Sequence, residues 1–210
     1  FMANLPLFIE ARPAKISEIV GQSKGMCSLK NFVTDFGKGK FNSAIVSGPT
    51  GCGKTAGVYA LANELKLEII EINASDFRNR ENIENIVGSA SQQQSLFMRK
   101  KIILVDEIDG ISSSKDRGGL SELAKIVAKS KFPVVITAND VSDKKFKDVR
   151  KNSLIIEFDV LSSENVLEIM KNALKKIGVD VDEKVLGRLS YSSGGDARAA
   201  LNDLHILDFK

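Results

Sequence analysis

Short apolar runs recur along the chain through about residue 159, and stretches of helical periodicity lie between them. The runs are Ser43–Ser47, Leu67–Ile72, Lys101–Asp106, Val134–Ala138 and Leu154–Phe158. They lack strict apolar–polar alternation, as strands buried on both faces of a parallel sheet do. Helices are predicted over Lys24–Phe36, Ala56–Leu65, Glu81–Ala90 and Gly119–Lys129. The alternation predicts an α/β fold, a parallel five-stranded sheet between helices. Right-handed crossovers cover both of its faces, and a ligand site lies at the carboxyl ends of the strands.

The pattern changes after Val160. From Ser162 onward it predicts three short helices and no strand. The first starts at Ser162 or Ser163, places Val166, Ile169 and Ala173 on one face, and ends at Gly178. The second covers about Asp182–Tyr191. The third follows Gly194-Gly195, has Asp196 in its first turn and reaches about Leu207. The predicted organisation is therefore an α/β domain over residues 1–160 and a small helical domain over 161–210. The chain stops at Lys210 without a tail, and Phe1 stands ahead of Met2. The stop suggests a piece of a longer protein, and Phe1 suggests an expression scar.

Composition narrows the setting. With 43% hydrophobic and 27% charged residues, the chain has the makings of a proper core. No apolar run reaches the ~20 residues of a membrane helix, and no secretory signal is visible. Cys27 and Cys52 make no disulfide framework, which fits a reducing, intracellular compartment. The net charge of +3 does not by itself imply nucleic-acid binding, though it permits a local basic face. The one histidine, His205, offers no basis for a His-based metal site.

The candidate chemistry sits at strand ends. Gly48-Pro49-Thr50-Gly51-Cys52-Gly53-Lys54-Thr55 reads G-x-x-x-x-G-K-T between an apolar run and a helical stretch that opens at Ala56. In that setting backbone amides and a helix N-terminus converge on a phosphate. Lys54 is placed for the terminal phosphates, and the Thr55 hydroxyl for Mg²⁺. Ile102–Val105 runs into Asp106 and Glu107. The first acid suits Mg²⁺, and the second suits orienting and deprotonating an attacking water. Asn139, closing the run Val134–Ala138, is a candidate for the water or the γ-phosphate; its alternative is an ordinary turn asparagine. Arg198 would reach a γ-phosphate if the helical bundle folds over the nucleotide, and would otherwise pair with Asp196 or Asn202. A GTPase should show N-K-x-D, but the candidate segment reads Ala138-Asn139-Asp140-Val141. A small-molecule kinase has no need of Glu107.

In this order the motifs resemble the AAA+ ATPases, in particular the clamp-loader branch and the large subunit of replication factor C of archaeal or eukaryotic type. The resemblance covers nearly the whole chain. It implies an AAA+ P-loop module followed by a three-helix lid domain, with a collar domain beyond the chain. Glu10-Ala11-Arg12-Pro13 and Ile19-Val20-Gly21-Gln22 are similar to the family's adenine-flanking box, which brings in Arg12, Pro13 and Val20; Ala11 departs from its usual aromatic. Glu71-Ile72-Asn73-Ala74-Ser75-Asp76 looks like the L-N-A-S-D stretch, making Asn73 the candidate switch that holds Glu107 inactive. Asp116-Arg117-Gly118-Gly119 is similar to the D-R-G-G stretch found in large subunits, and Asp148–Leu154 lacks the S-R-C of small ones.

The resemblance implies ATP and Mg²⁺ as cofactors, with ATPase activity weak in the isolated chain. It implies replication factor C small subunits, the sliding clamp and primer-template DNA as partners in a hetero-oligomer with no membrane role. The setting would be the cytoplasm of an archaeon or the nucleus of a eukaryote. Leu96 and Phe97 become candidate clamp contacts, or else pack under the sheet. Arg78, Arg80, Lys115 and Arg117 become candidate contacts to the DNA backbone, or else are solvated loop charge. Two other readings stand: an AAA+ ATPase of recombination or checkpoint signalling, and a non-catalytic nucleotide-binding scaffold.

Overall fold

The computed structural model describes residues 6–73, 100–111 and 119–207. Five parallel strands form one sheet: β1 (Ser43–Ser47), β2 (Glu68–Asn73), β3 (Lys101–Asp106), β4 (Val134–Ala138) and β5 (Ser153–Glu157). Their spatial order is β2-β3-β4-β1-β5. The expected strands are present, with β2 and β5 shifted by one residue from the sequence reading.

The apolar runs are continuous because each face of the sheet has its own core. Ala44, Val46, Ile102, Leu104 and Val135 pack on one face, with Met26, Leu29, Val58 and Leu61. Ile45, Ile103, Val105, Val134 and Ile136 pack on the other, with Leu123, Val127, Phe146 and Val149. Period-2 side-chain alternation thus sends neighbouring residues into opposite layers, and both layers are dry.

The helices are α1 (Leu7–Glu10), α2 (Ser23–Thr34), α3 (Lys54–Glu64), α4 (Gly119–Lys129), α5 (Lys147–Lys151), α6 (Ser163–Ile177), α7 (Glu183–Ser192) and α8 (Ala197–Ile206). The short α1 and α5 escape the periodicity argument because one turn is too brief to show a repeat. The predicted helix over Glu81–Ala90 lies outside the described residues, as do Leu96, Phe97, Arg78, Arg80, Lys115 and Arg117.

The last three helices stop and start where polar side chains replace missing backbone partners. Ser162 and Asn165 form a reciprocal capping box on α6, and Gly178 ends it in the left-handed conformation at φ 72°. Asp182 caps α7. Asp196 is the N-cap of α8, accepting from the Ala199 amide at 2.9 Å, rather than a member of its first turn as the sequence suggested. Val166, Met170, Ala173, Leu186, Ala200 and Leu204 from these helices join the same apolar layer as the sheet face. Leu7 belongs to that layer too, because α1 packs against α6 and α8.

Candidate functional site

Strand order is what assembles the site. β3, β4 and β1 are consecutive neighbours, so the segments leaving their carboxyl ends emerge side by side. Parallel neighbours lie ~4.8 Å apart, close enough for the three strand ends to share one ligand. They carry Asp106 and Glu107, Asn139, and the glycine loop. A cleft of about 620 Å³ opens there, a size suited to a cofactor.

The glycine loop has the backbone that its spacing implies. Gly51 and Gly53 have φ of 70° and 99°, which L-residues rarely adopt. Gly53 is the N-cap of α3 and brings no side-chain cap to the helix amides, which leaves that helix end available to an anion. Thr50, Gly51, Cys52, Gly53, Lys54, Thr55 and Ala56 all line the cleft. Gly48 and Pro49 do not line it; they act through their carbonyls. Lys54 Nζ donates to Gly48 O at 2.7 Å, to Pro49 O at 2.9 Å and to Asn139 Oδ1 at 3.0 Å. Burial pushes the Lys54 ammonium pKa down, since desolvation disfavours the charged form. The Cys52 side chain points into the core, and burial pushes its thiol pKa up, so it is a packing residue and not a nucleophile.

Thr55 Oγ1 donates to Asp106 Oδ1 at 2.8 Å, joining the start of α3 to the end of β3. One hydroxyl and one carboxylate are hard oxygen donors, a set that suits Mg²⁺ with most of its remaining ligands from water and phosphate. Among the described residues no cluster of three or more His, Cys, Asp or Glu could hold a metal alone. The donor set thus fits an ion that arrives with a phosphate ligand.

Sequence reasoning missed Thr137. Its hydroxyl donates to Asp106 Oδ1 and accepts from the Glu107 amide at 2.9 Å, so it holds the Asp106 carboxylate and the Glu107 backbone together. A threonine inside the otherwise apolar run Val134–Ala138 was the available signal. Asp109 was missed as well: its carboxylate accepts from the Asn139 amide at 2.6 Å and the Asp140 amide at 3.3 Å, fixing the β4 exit.

Glu107 has φ 54° and ψ 53°, left-handed for a residue with a side chain, at a cost of roughly 1–2 kcal/mol. Its carboxylate is largely exposed in the cleft and faces the Arg198 guanidinium at 3.9 Å. Arg198 therefore reaches the site from α8. Asn73 pairs in register with Asp106 at the edge of the sheet, one position from Glu107.

Arg12, Pro13 and Val20 line the same cleft, with Ile19, Leu161, Ala173 and Leu201. The Arg12 guanidinium lies 4.4 Å from the Tyr59 ring centroid, and the Tyr59 hydroxyl donates to Glu71. Burial raises the Tyr59 pKa, with Glu71 adding to the effect. Lys176 of α6 ties this segment to the helical bundle by donating to Glu18 at 2.5 Å and to Arg12 O at 3.3 Å. The bond to Glu18, above all, holds that carboxyl pKa down.

Gly51 offers a stringent check on this geometry. A Cβ built there would stand 1.9 Å from Asp196 Oδ1. Gly51→Ala is expected to cost roughly 1–3 kcal/mol from overpacking and about 1–2 kcal/mol from its positive φ. Thermal melts and ATP titration should both show the loss, and an unchanged melt would contradict this packing.

Comparison with known proteins gives the family and the fold. The family model of the ATPase family associated with various cellular activities (AAA) matches residues 44–160. The replication factor C large subunit of Nanoarchaeum equitans is 42% identical over 205 residues, covering 97% of this chain and 48% of that protein. The corresponding protein of Staphylothermus marinus is 40% identical over 206 residues, covering 97% of this chain and 49% of that one. The chain spans about half the length of the curated relatives it matches. Among solved structures, the RuvB Holliday junction branch migration motor of Thermotoga maritima has a TM-score of 0.70 at 19% identity, covering 94% of this chain and 64% of that one. At that identity the likeness is one of fold.

Proposed function

The chain belongs to the family of ATPases associated with various cellular activities, and on that premise we propose that it is the ATP-binding and ATP-hydrolysing part of the large subunit of a replication factor C clamp loader. The observation that carries the ATPase reading is the convergence on one cleft of the glycine loop, Glu107, Asn139 and Arg198. The replication reading is supported by relatives at 40% and 42% identity whose names are replication factor C large subunit.

In this reading the loop amides and the α3 N-terminus bind the phosphates, and Lys54 exchanges its bonds to Gly48 O and Pro49 O for phosphate oxygens. Thr55 and Asp106 would hold Mg²⁺, which when bound neutralises phosphate charge. Thr137 keeps Asp106 and the Glu107 backbone in register. Glu107 takes a proton from the attacking water. Asn139 positions Lys54 and the water, and Arg198 places its charge by the γ-phosphate. Arg12, Pro13 and Val20 flank the base. Asn73, at the neighbouring strand end, is the proposed switch on Glu107. Residues 161–210 act as the lid domain that lies over the nucleotide held by the α/β domain of 1–160.

The whole protein would use ATP to place a sliding clamp on primer-template DNA, in company with replication factor C small subunits. Leu96 and Phe97 are the proposed clamp contacts, and Arg78, Arg80, Lys115 and Arg117 the proposed DNA contacts. A pull-down of the full-length protein with the sliding clamp and small subunits, with and without ATP, tests this. Capture of neither partner, with ATP binding intact, would remove the clamp-loading role and leave the ATPase.

A further inference from the structure

One buried polar side chain has no part in the chemistry above. Gln22 is 2% exposed. Its amide nitrogen donates to Cys52 O at 3.2 Å and to Asp159 O at 2.7 Å, and its amide oxygen accepts from the Asp159 amide at 3.0 Å. Both donors and the acceptor are thereby engaged. The three bonds join the residue that opens α2, the phosphate loop, and the linker from β5 to α6.

Close packing grips the same linker. A Cβ at Gly21 would stand 2.7 Å from Leu161 Cδ2, and one at Gly48 would stand 2.4 Å from Phe158 O. A Cβ at Gly195 would stand 2.7 Å from Leu161 O and 2.8 Å from Val160 Cγ2. Residues 158–161 thus run through a slot whose walls are the Gly21-Gln22 turn, the start of the phosphate loop and the turn before α8. Beyond that turn the Ala197 amide donates back to Gly51 O at 3.3 Å, one residue from Arg198.

We propose that Gln22 is a positioning residue for nucleotide, the pin that makes the phosphate loop and the Arg198 helix move as one. A buried amide has no water to turn to, so Cys52 O and Asp159 cannot separate without leaving polar groups unpaired. A shift of the loop at Cys52 is therefore passed through Gln22 to Asp159, then through Leu161 and Gly195 to α8. This inference rests on the nucleotide reading of the cleft.

The test uses the full-length protein, methylanthraniloyl-ATP with Mg²⁺, and Gln22→Met, which keeps the length of the side chain and removes all three bonds. Wild type should bind the probe. Gln22→Met should bind it roughly tenfold more weakly, the worth of about one net hydrogen bond, and Arg198→Ala should weaken binding less in the Gln22→Met background than in wild type. A lowered melting temperature with unchanged probe affinity would mean that Gln22 only packs, and overturns the proposal. Failure of wild type to bind overturns the nucleotide reading and this one with it; equal binding by both overturns the role of Gln22 alone. Should Gln22→Met not fold, hydrogen exchange on the wild type decides. The Cys52, Asp159 and Ala197 amides should gain protection together when ATP is added, and independent responses overturn the proposal.

Discussion

Glu107→Gln is expected to slow single-turnover ATP cleavage by about 10²–10⁴-fold, the usual worth of a general base, with ATP affinity nearly unchanged. The amide is isosteric and retains the left-handed backbone, which the Thr137 hydroxyl supports by accepting from the residue 107 amide at 2.9 Å. What it loses is the ability to take a proton. Because the Glu107 side chain is 66% exposed and the Arg198 guanidinium stands 3.9 Å away, removing the charge costs little stability. Rapid-quench measurement of ATP cleavage, beside equilibrium binding, separates the two effects. A variant that cleaves ATP at the wild-type rate would remove Glu107 from the chemistry and return the site to a nucleotide-binding scaffold.

The isolated chain is expected to bind ATP and turn it over slowly, and a neighbouring protein that contributes an arginine should accelerate it by about 10³–10⁵-fold. That corresponds to roughly 4–7 kcal/mol of barrier. The arginines that line the cleft are already placed: Arg12 stacks on Tyr59, and Arg198 faces Glu107. The segment Asp148–Leu154, which lacks the S-R-C stretch, is built into this chain's own fold. Arg150 donates to Ser142 O at 3.4 Å, and Val149 is core. Steady-state ATPase assays of the chain alone, and after addition of candidate small subunits, measure the gain. Full activity of the chain alone would show that no arginine in trans is needed.

Much of this architecture was legible because it follows from local chemistry. Dry, unalternating runs such as Ile102–Val105 read as strands covered on both faces, and the fold covers them so. Gly119–Lys129 was found to the residue, since a full apolar stripe repeats over three turns. Gly178 and Asp182 marked helix ends through their backbone and capping preferences. Thr137, Asp109 and Gln22 were not found. Each is an ordinary polar residue whose role comes from partners about 30 to 137 positions away.

The amino-acid order alone determined the phosphate loop, the acids at a strand end and the parallel α/β class, because spacing and side-chain chemistry act over a few residues. Only the tertiary structure decided that β3, β4 and β1 are neighbours, that Arg198 reaches Glu107, and that Gln22 joins the loop to the linker. Those facts depend on which crossovers and helices pack together, and long-range packing leaves no periodic trace in the chain.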